Sequence, residues 1–250
     1  MTEQPKNFGF GEDETMLKDS AAKFFADNCS ADKIHSQVAE DPNIHRSIEC
    51  IWDKGLWQQI TELGWTAACV PEEAGGLGMP LVAAVAIAEE AGKAAFPSPL
   101  ISTMIASFVL KECHSDAATK ALGDVASGVP MTLAVTNKLG SWEPSDTDVA
   151  AAGTTLNGTA YFVQDAQKCD RFVVSATTPK GVALFLVDAN AAGVSITPDG
   201  IIDLTRDQAH VEFKNVEAIE LAAPGTGEAS LASALPAIQT IITADMVGAG

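Results

Sequence analysis

The stretch TTLNGTAYFVQDAQKCDRFVVSA, Thr154 to Ala176, decides how the second half of the chain is read. Asn157-Gly158 is a dipeptide that two-residue primed turns favour, because both central residues of such a turn need positive φ. The stretch therefore predicts a β-hairpin turning at Asn157-Gly158, with a further strand through Phe172, Val173 and Val174. After the turn come Tyr161 and Phe162, then Gln164 and a polar run through Lys168, before the chain becomes apolar again. Two readings are open: an ordinary strand end, or a strand against which something flat and partly polar packs.

Working outward, strands dominate from Val129 onward: MTLAVT, TAYFVQ, DRFVVSAT, VALFLVD and QAHVEF. The last alternates Ala209, Val211 and Phe213 inward against Gln208, His210 and Glu212 outward. Turn-forming clusters separate them, such as Pro179-Lys180-Gly181 and Pro198-Asp199-Gly200. Strands this close together, without helices between them, predict an antiparallel sandwich or barrel rather than a doubly wound sheet. No Gly-x-Gly-x-x-Gly follows a strand, so there is no dinucleotide fingerprint.

The first half reads as helical. Glu12 to Asn28 puts Leu17, Ala21, Phe24 and Phe25 on one face, and Ser47 to Leu63 does the same with Ile48, Trp52, Leu56, Ile60 and Leu63. Gly55 weakens the middle of the second helix, and VPEEAGGLGMP (Val70 to Pro80) is a turn-rich break. Two nearly all-apolar helices follow, LVAAVAIAEEAGKAA and SPLISTMIASFVLKEC, then a short amphipathic one over Ser115 to Val125. Helices that are apolar all round need cover from other helices or subunits. After AAPGTGE, helical spacing returns with Leu231, Leu235, Ile238 and Ile242, and Pro236 is expected to be tolerated only near the first turn. The expected fold class is α+β: an N-terminal all-α helical domain (1–128), a middle antiparallel β-sandwich or barrel domain (129–224), and the start of a C-terminal helical bundle (225–250).

Composition excludes several functions. Hydrophobic residues make up 47% of the chain, enough for a substantial core, and the net charge of −18 argues against a nucleic-acid partner. Five scattered cysteines with no Cys-x-x-Cys predict buried free thiols in a reducing compartment. The N-terminus lacks the basic and apolar regions of a signal peptide. The uncharged run Ala94 to Leu110 is broken by prolines and hydroxyls, so no membrane span is expected and a cytoplasmic protein is.

His35, His45, His114 and His210 are far apart and show no metal spacing. Glu89 and Glu90 diverge around a helix and read as a solvated edge rather than a facing acid pair. SWEPSD (Ser141 to Asp146) reads either as a ligand-binding loop or, more simply, as a connector with a turn. There is no nucleophile elbow or P-loop.

In their order these stretches resemble the acyl-CoA dehydrogenase family over nearly the whole chain. EDETMLKDSAAKFFADNC is similar to its opening helix. LWQQITELGWTAACVPEEAGGLGMPLVAAVAIAEEAGKA carries its Leu-Gly-Trp…Val-Pro-Glu-Glu…Gly-Leu-Gly segment, the most specific match. LNGTAYFVQDAQKCDRFVVSA, with GVALFLVD and GVSI, resembles the middle β domain, and IITADMVGAG the first helix of the C-terminal domain.

The resemblance implies FAD held between the β domain and the C-terminal helices. It also implies α,β-dehydrogenation of an acyl-CoA substrate, electron-transferring flavoprotein as acceptor, and a homo- or hetero-oligomer. Family members usually carry Lys-x-Trp-Ile-Thr/Ser after the hairpin turn; here Phe162, Val163 and Gln164 stand in the Trp, Ile and hydroxyl positions and are expected at the flavin. Thr136 is expected to offer its hydroxyl there. Asn137-Lys138 replace the family's Glu-Pro, and Ser141 is expected near the substrate thioester, with an insertion around Trp142.

The resemblance places the catalytic glutamate and much of the FAD pocket in a C-terminal domain of which this sequence holds the beginning, so no residue here is assigned as the base. Three readings follow. One is a partial acyl-CoA dehydrogenase-like flavoprotein, inactive unaided. Another is a non-catalytic subunit of a heteromeric dehydrogenase. The third is a flavin-dependent monooxygenase of the related branch.

Overall fold

The computed structural model describes residues 10–39 and 52–250. Helices α1 (Glu12–Asn28), α2 (Ala31–Ala39), α3 (Lys54–Glu62), α4 (Leu81–Lys93), α5 (Leu100–Lys111) and α6 (Asp116–Ala126) come before the strands, and α7 (Gly227–Ala249) after them. The expected helices recur, and the N-terminal core is aromatic. Phe24 and Phe25 of α1 meet Trp65 and Phe96 with ring centroids 5.1 to 5.5 Å apart.

One boundary moves for a local reason. α3 begins at Lys54, not near Ser47, because the Asp53 carboxylate caps it by accepting from the Gly55 and Leu56 N–H groups. Gly55 therefore sits in the first turn, where it does little harm; the expected helix before Trp52 lies outside the described residues. α2, polar along much of its length, was not anticipated. The Glu89-Glu90 pair also differs from expectation. Lys18 lies 2.7 Å from Glu89 and 3.9 Å from Glu90, and Glu90 is only 7% exposed, so it is not a solvated edge.

The Val70–Pro80 break is tied rather than loose. Leu77, Gly78 and Met79 donate their N–H groups to the carbonyls of Ala67, Val70 and Ala68. Gly76 has no room for a side chain, since a Cβ there would lie 2.0 Å from the Val70 oxygen.

The strands are β1 (Met131–Ala134), β2 (Val149–Ala152), β3 (Thr155–Gln164), β4 (Arg171–Thr178), β5 (Gly181–Asp188), β6 (Val194–Pro198), β7 (Gln208–Glu217) and β8 (Ile219–Ala222). They form an eight-stranded sheet ordered β6-β7-β3-β2-β4-β5-β8, with β1 also on β4. Most pairings are antiparallel, but β1 and β2 each run parallel to β4, so the sheet is mixed.

The hairpin lies elsewhere than expected. β2 pairs with β3 through Ala152↔Thr155, so the turn is Gly153-Thr154, with Gly153 at φ +64. Asn157 and Gly158 lie inside β3. Gly158 is there because a Cβ would come 2.2 Å from the Asp148 oxygen, and the Asn157 side-chain oxygen accepts from Asn215 N–H on β7. The dipeptide marks a strand crossing too close for a side chain, not a turn.

Two apolar clusters share β4 and β5 by alternation. Val173, Leu184 and Leu186 face the helices, while Phe172, Val174, Phe185 and Val187 face the β core. This explains the unbroken apolar run of VALFLV: both faces of β5 are covered. α7 packs on α4, where Gly92 and Gly248 let the backbones touch. A Cβ at Gly92 would lie 2.0 Å from the Asp245 oxygen, and one at Gly248 1.9 Å from the Glu89 oxygen. Among the described residues, α7 alone is long and apolar enough to cross a membrane. Its buried positions, including Leu231, Ala234, Ile238 and Ile241, pack into the core beside the helices and β5.

Pro236 falls at the tenth position of α7, not in its first turn. Pro236 and Ala232, whose carbonyl loses its helical partner, are both exposed, so water can satisfy that oxygen. Cys29, Cys69 and Cys169 are buried and Cys113 half-buried, all as free thiols. Burial pushes Cys29 up to about 11 and Cys113 up to about 12.

Candidate functional site

β1 and β2 occupy one edge of β4 end to end: β1 pairs with Arg171 to Val174, and β2 meets Thr177. Between them the chain leaves the sheet over residues 135–148. Opposite this gap β3 bulges, its pairing with β7 jumping from Ala160↔Val211 to Val163↔Ala209. The two irregularities meet through a double hydrogen bond. Tyr161 N–H donates to the Thr136 carbonyl, and the Thr136 hydroxyl donates to the Tyr161 carbonyl at 2.6 Å.

The bulge aims side chains. Phe162 (φ +54) and Asp165 (φ +52) both take left-handed backbone, which non-glycine residues rarely adopt and which costs on the order of 1–3 kcal/mol each. This leaves Phe162 42% exposed, while the strand is paired with β7 on either side of the bulge. Val163, the next residue, is fully buried in the β core.

A cavity of about 360 Å³ opens at this place. Its floor is buried and largely apolar: Ile101 and Ile105 of α5, with Thr132, Leu133 and Val135 of β1 and its exit. Its mouth carries Phe162, Trp142 and Gln164. Ile242 and Asp245 of α7, with Arg206 of the β6–β7 loop, form the remaining wall.

Of the residues singled out in the sequence, Thr136, Phe162 and Gln164 are brought together on this cavity. Val163 and Ser141 are not. Val163 points into the core, and Ser141 braces the loop, its hydroxyl donating to Asp146 and accepting from Glu143 N–H. Asn137, where the family pattern has Glu, folds the same loop by accepting from the Leu139 and Ser141 N–H groups.

A charged network begins in the cavity wall, where Ser102 and Asp165 line the space, and continues behind it. The Lys168 ammonium, 1% exposed, is 2.8 Å from Asp165 Oδ1 and 2.6 Å from Asp207 Oδ1. Asp165 Oδ2 accepts from the Ser102 hydroxyl at 2.6 Å, which ties α5 to the bulge. Burial works against charge on Lys168, but the two carboxylates outweigh it and hold its pKa above the ordinary lysine value. Burial raises Asp207, with Lys168 opposing. Neighbouring Cys169 is pushed well up by burial. Arg206, beside Asp207 in sequence, donates through Nη2 to both oxygens of Asp245 at 2.8 and 3.0 Å, which ties the β6–β7 loop to α7.

Sequence reasoning missed Trp142, Arg206, Asp245 and the Ser102–Asp165–Lys168–Asp207 network as parts of one place. The polar run after Gln164 was the available signal. A charged run ordinarily reads as solvated surface, and only the structure shows this one buried. Among the described residues, no cluster of His, Cys, Asp and Glu is arranged to hold a metal ion.

Residues 11–129 match the family described as Acyl-CoA dehydrogenase, N-terminal domain. Acyl-CoA dehydrogenase IpdE2 of Mycobacterium tuberculosis is 30% identical over 118 residues, 47% of this chain and 34% of that protein. Among solved structures, a variant of the Tcur3481-Tcur3483 steroid ACAD superposes with a TM-score of 0.80 at 26% identity, over 95% of this chain and 63% of that one. The ChsE4-ChsE5 complex of Mycobacterium tuberculosis does so at 0.75 and 23%, over 93% of this chain and 64% of that one; at that identity the likeness shows the fold. The chain thus spans less than two thirds of the length of these relatives. Helices leading into a mixed sheet, the ordered motifs and these matches agree: the chain belongs to the acyl-CoA dehydrogenase family, through its N-terminal and middle region.

Proposed function

We propose that this chain supplies part of an FAD-dependent acyl-CoA dehydrogenase, with the cavity between α5, β1, the β3 bulge and α7 as its share of the active site. One observation carries the reading: Thr136, Phe162 and Gln164, separated in sequence, meet at one cavity through a strand gap and a bulge. The rim fits a flavin ring system, offering a half-exposed aromatic ring, an exposed amide and a hydroxyl. When bound, FAD supplies the hydride acceptor. Phe162 would lie against its face, and Gln164 and Thr136 near its polar edge. The Thr136 hydroxyl proton is already given to Tyr161, so this side chain would present lone pairs rather than a donor. The floor of Ile101, Ile105, Leu133 and Val135 would exclude water from the acyl group. Electron-transferring flavoprotein is the proposed acceptor.

A second reading has its own support: a non-catalytic subunit completing a heteromeric dehydrogenase. Two solved relatives are named as pairs of different chains. Here Met246 and Val247 of α7 are 66% and 65% exposed, apolar surface suited to a neighbouring subunit. The visible spectrum of the chain purified from a flavin-replete host tests both. Stoichiometric FAD whose absorbance bleaches on anaerobic addition of an acyl-CoA supports the dehydrogenase reading. FAD that never bleaches favours the partner reading, and a chain that takes up neither FAD nor acyl-CoA contradicts the first.

A further inference from the structure

Arg206 is the cation in the cavity wall, and its use there is incomplete. Both contacts to Asp245 are made by Nη2; Nη1 and Nε have no partner among the described residues. Arg206 and Asp245 are 22% and 17% exposed, and both line the cavity with Gln164. A hydrocarbon group lying against this wall would strip water from an ion pair and an amide without replacing a hydrogen bond, a loss polar groups do not tolerate cheaply. The wall therefore selects a ligand that brings oxygen to it.

Charge decides which oxygen. Among the described residues of this network, Asp165, Asp207 and Asp245 stand against Lys168 and Arg206, so the charge behind and along this wall is net negative. An anionic group approaching Arg206 meets Asp245 already paired to the same guanidinium. A neutral ketone or hydroxyl meets no such repulsion and can accept from Arg206 while Asp245 stays in place. Ile101, Ile105 and Ile242 supply the apolar part of the same space.

We propose that Arg206, held by Asp245, is a specificity residue that receives an uncharged oxygen function on the acyl group, so that the chain prefers oxo- or hydroxyacyl thioesters to plain alkyl or dicarboxylic ones. This rests on the dehydrogenase reading of the cavity. The test is calorimetric binding of three CoA thioesters of matched length to the full chain with FAD present: heptanoyl-CoA, 6-oxoheptanoyl-CoA and pimeloyl-CoA. The expected order places the oxo compound about tenfold tighter than heptanoyl, the size of one hydrogen bond to a charged group, and pimeloyl weakest. In Arg206→Met the oxo preference falls to about one. Arg206→Lys, which keeps the charge but not the fork, retains part of it and guards against a variant that fails to fold.

Equal binding of the three, an oxo preference that survives in Arg206→Met, or tightest binding of pimeloyl-CoA overturns the specificity role and leaves the dehydrogenase reading intact. Binding of none of the three by the unaltered chain overturns both.

Discussion

Lys168 concentrates the physics of the site in one side chain. It is buried, and its removal leaves two carboxylates facing each other without a cation. Breaking a buried pair from one side costs about 3–5 kcal/mol, so Lys168→Met is expected to lower stability by that order in urea unfolding. The pH sign follows from the direction of the shift. The folded pKa of Lys168 lies above its ordinary 10.5, so its contribution is complete below that value and is lost as pH rises through the folded one. Asp207, raised above 3.8 mainly by burial, has the same sign at lower pH: its contribution is lost as pH rises through its lifted value. The stability gap between the unaltered chain and Lys168→Met should therefore hold at pH 8 to 10 and narrow only above about 10.5. Thermal unfolding across that range checks it; a gap closing at neutral pH would show that Lys168 is not ionised in the fold.

At the scale of elements, the helix contact and the bulge are set by backbone approach. Gly92→Ala would drive a Cβ into the Asp245 carbonyl. Overpacking of this kind costs about 1–3 kcal/mol, and because Asp245 holds Arg206, the variant should also weaken ligand binding in the cavity. Loss of stability with unchanged ligand binding would uncouple the crossing from the site. Pro236 works in the other direction: it interrupts α7 on an exposed face, so Pro236→Ala should raise the unfolding free energy, by about 1 kcal/mol or more. A lower unfolding midpoint would mean that the proline ring packs usefully.

These elements also mark what could be read beforehand. Apolar periodicity gave α1, α4, α5 and α6, because their burial is one-sided or complete. It did not give β2, β6 or β8, strands of four or five residues, too short for an alternation to stand out. Asn157-Gly158 misled because glycine serves a close strand crossing as well as a turn. Thr136, Phe162 and Gln164 were legible through motif resemblance. Arg206, Asp245 and Lys168 were not, since each acts through a partner brought near by the fold.

At the scale of the whole molecule, function rests on irregularity held in place by regular structure. A gap between two strands, a bulge with left-handed Phe162, left-handed Asp165 just past the strand and a loop folded by Asn137 converge because α5 and α7 hold the sheet from one side. The most direct test of the central claim is FAD titration of the full chain, followed by quenching of flavin fluorescence, beside Phe162→Ala and Thr136→Val. The account predicts saturable quenching by the unaltered chain. It also predicts affinity about fivefold to tenfold weaker in Phe162→Ala, the scale of one aromatic contact, with thermal stability nearly unchanged because the ring is already exposed. Absence of saturable binding, or affinity untouched by loss of the Phe162 ring, would contradict it.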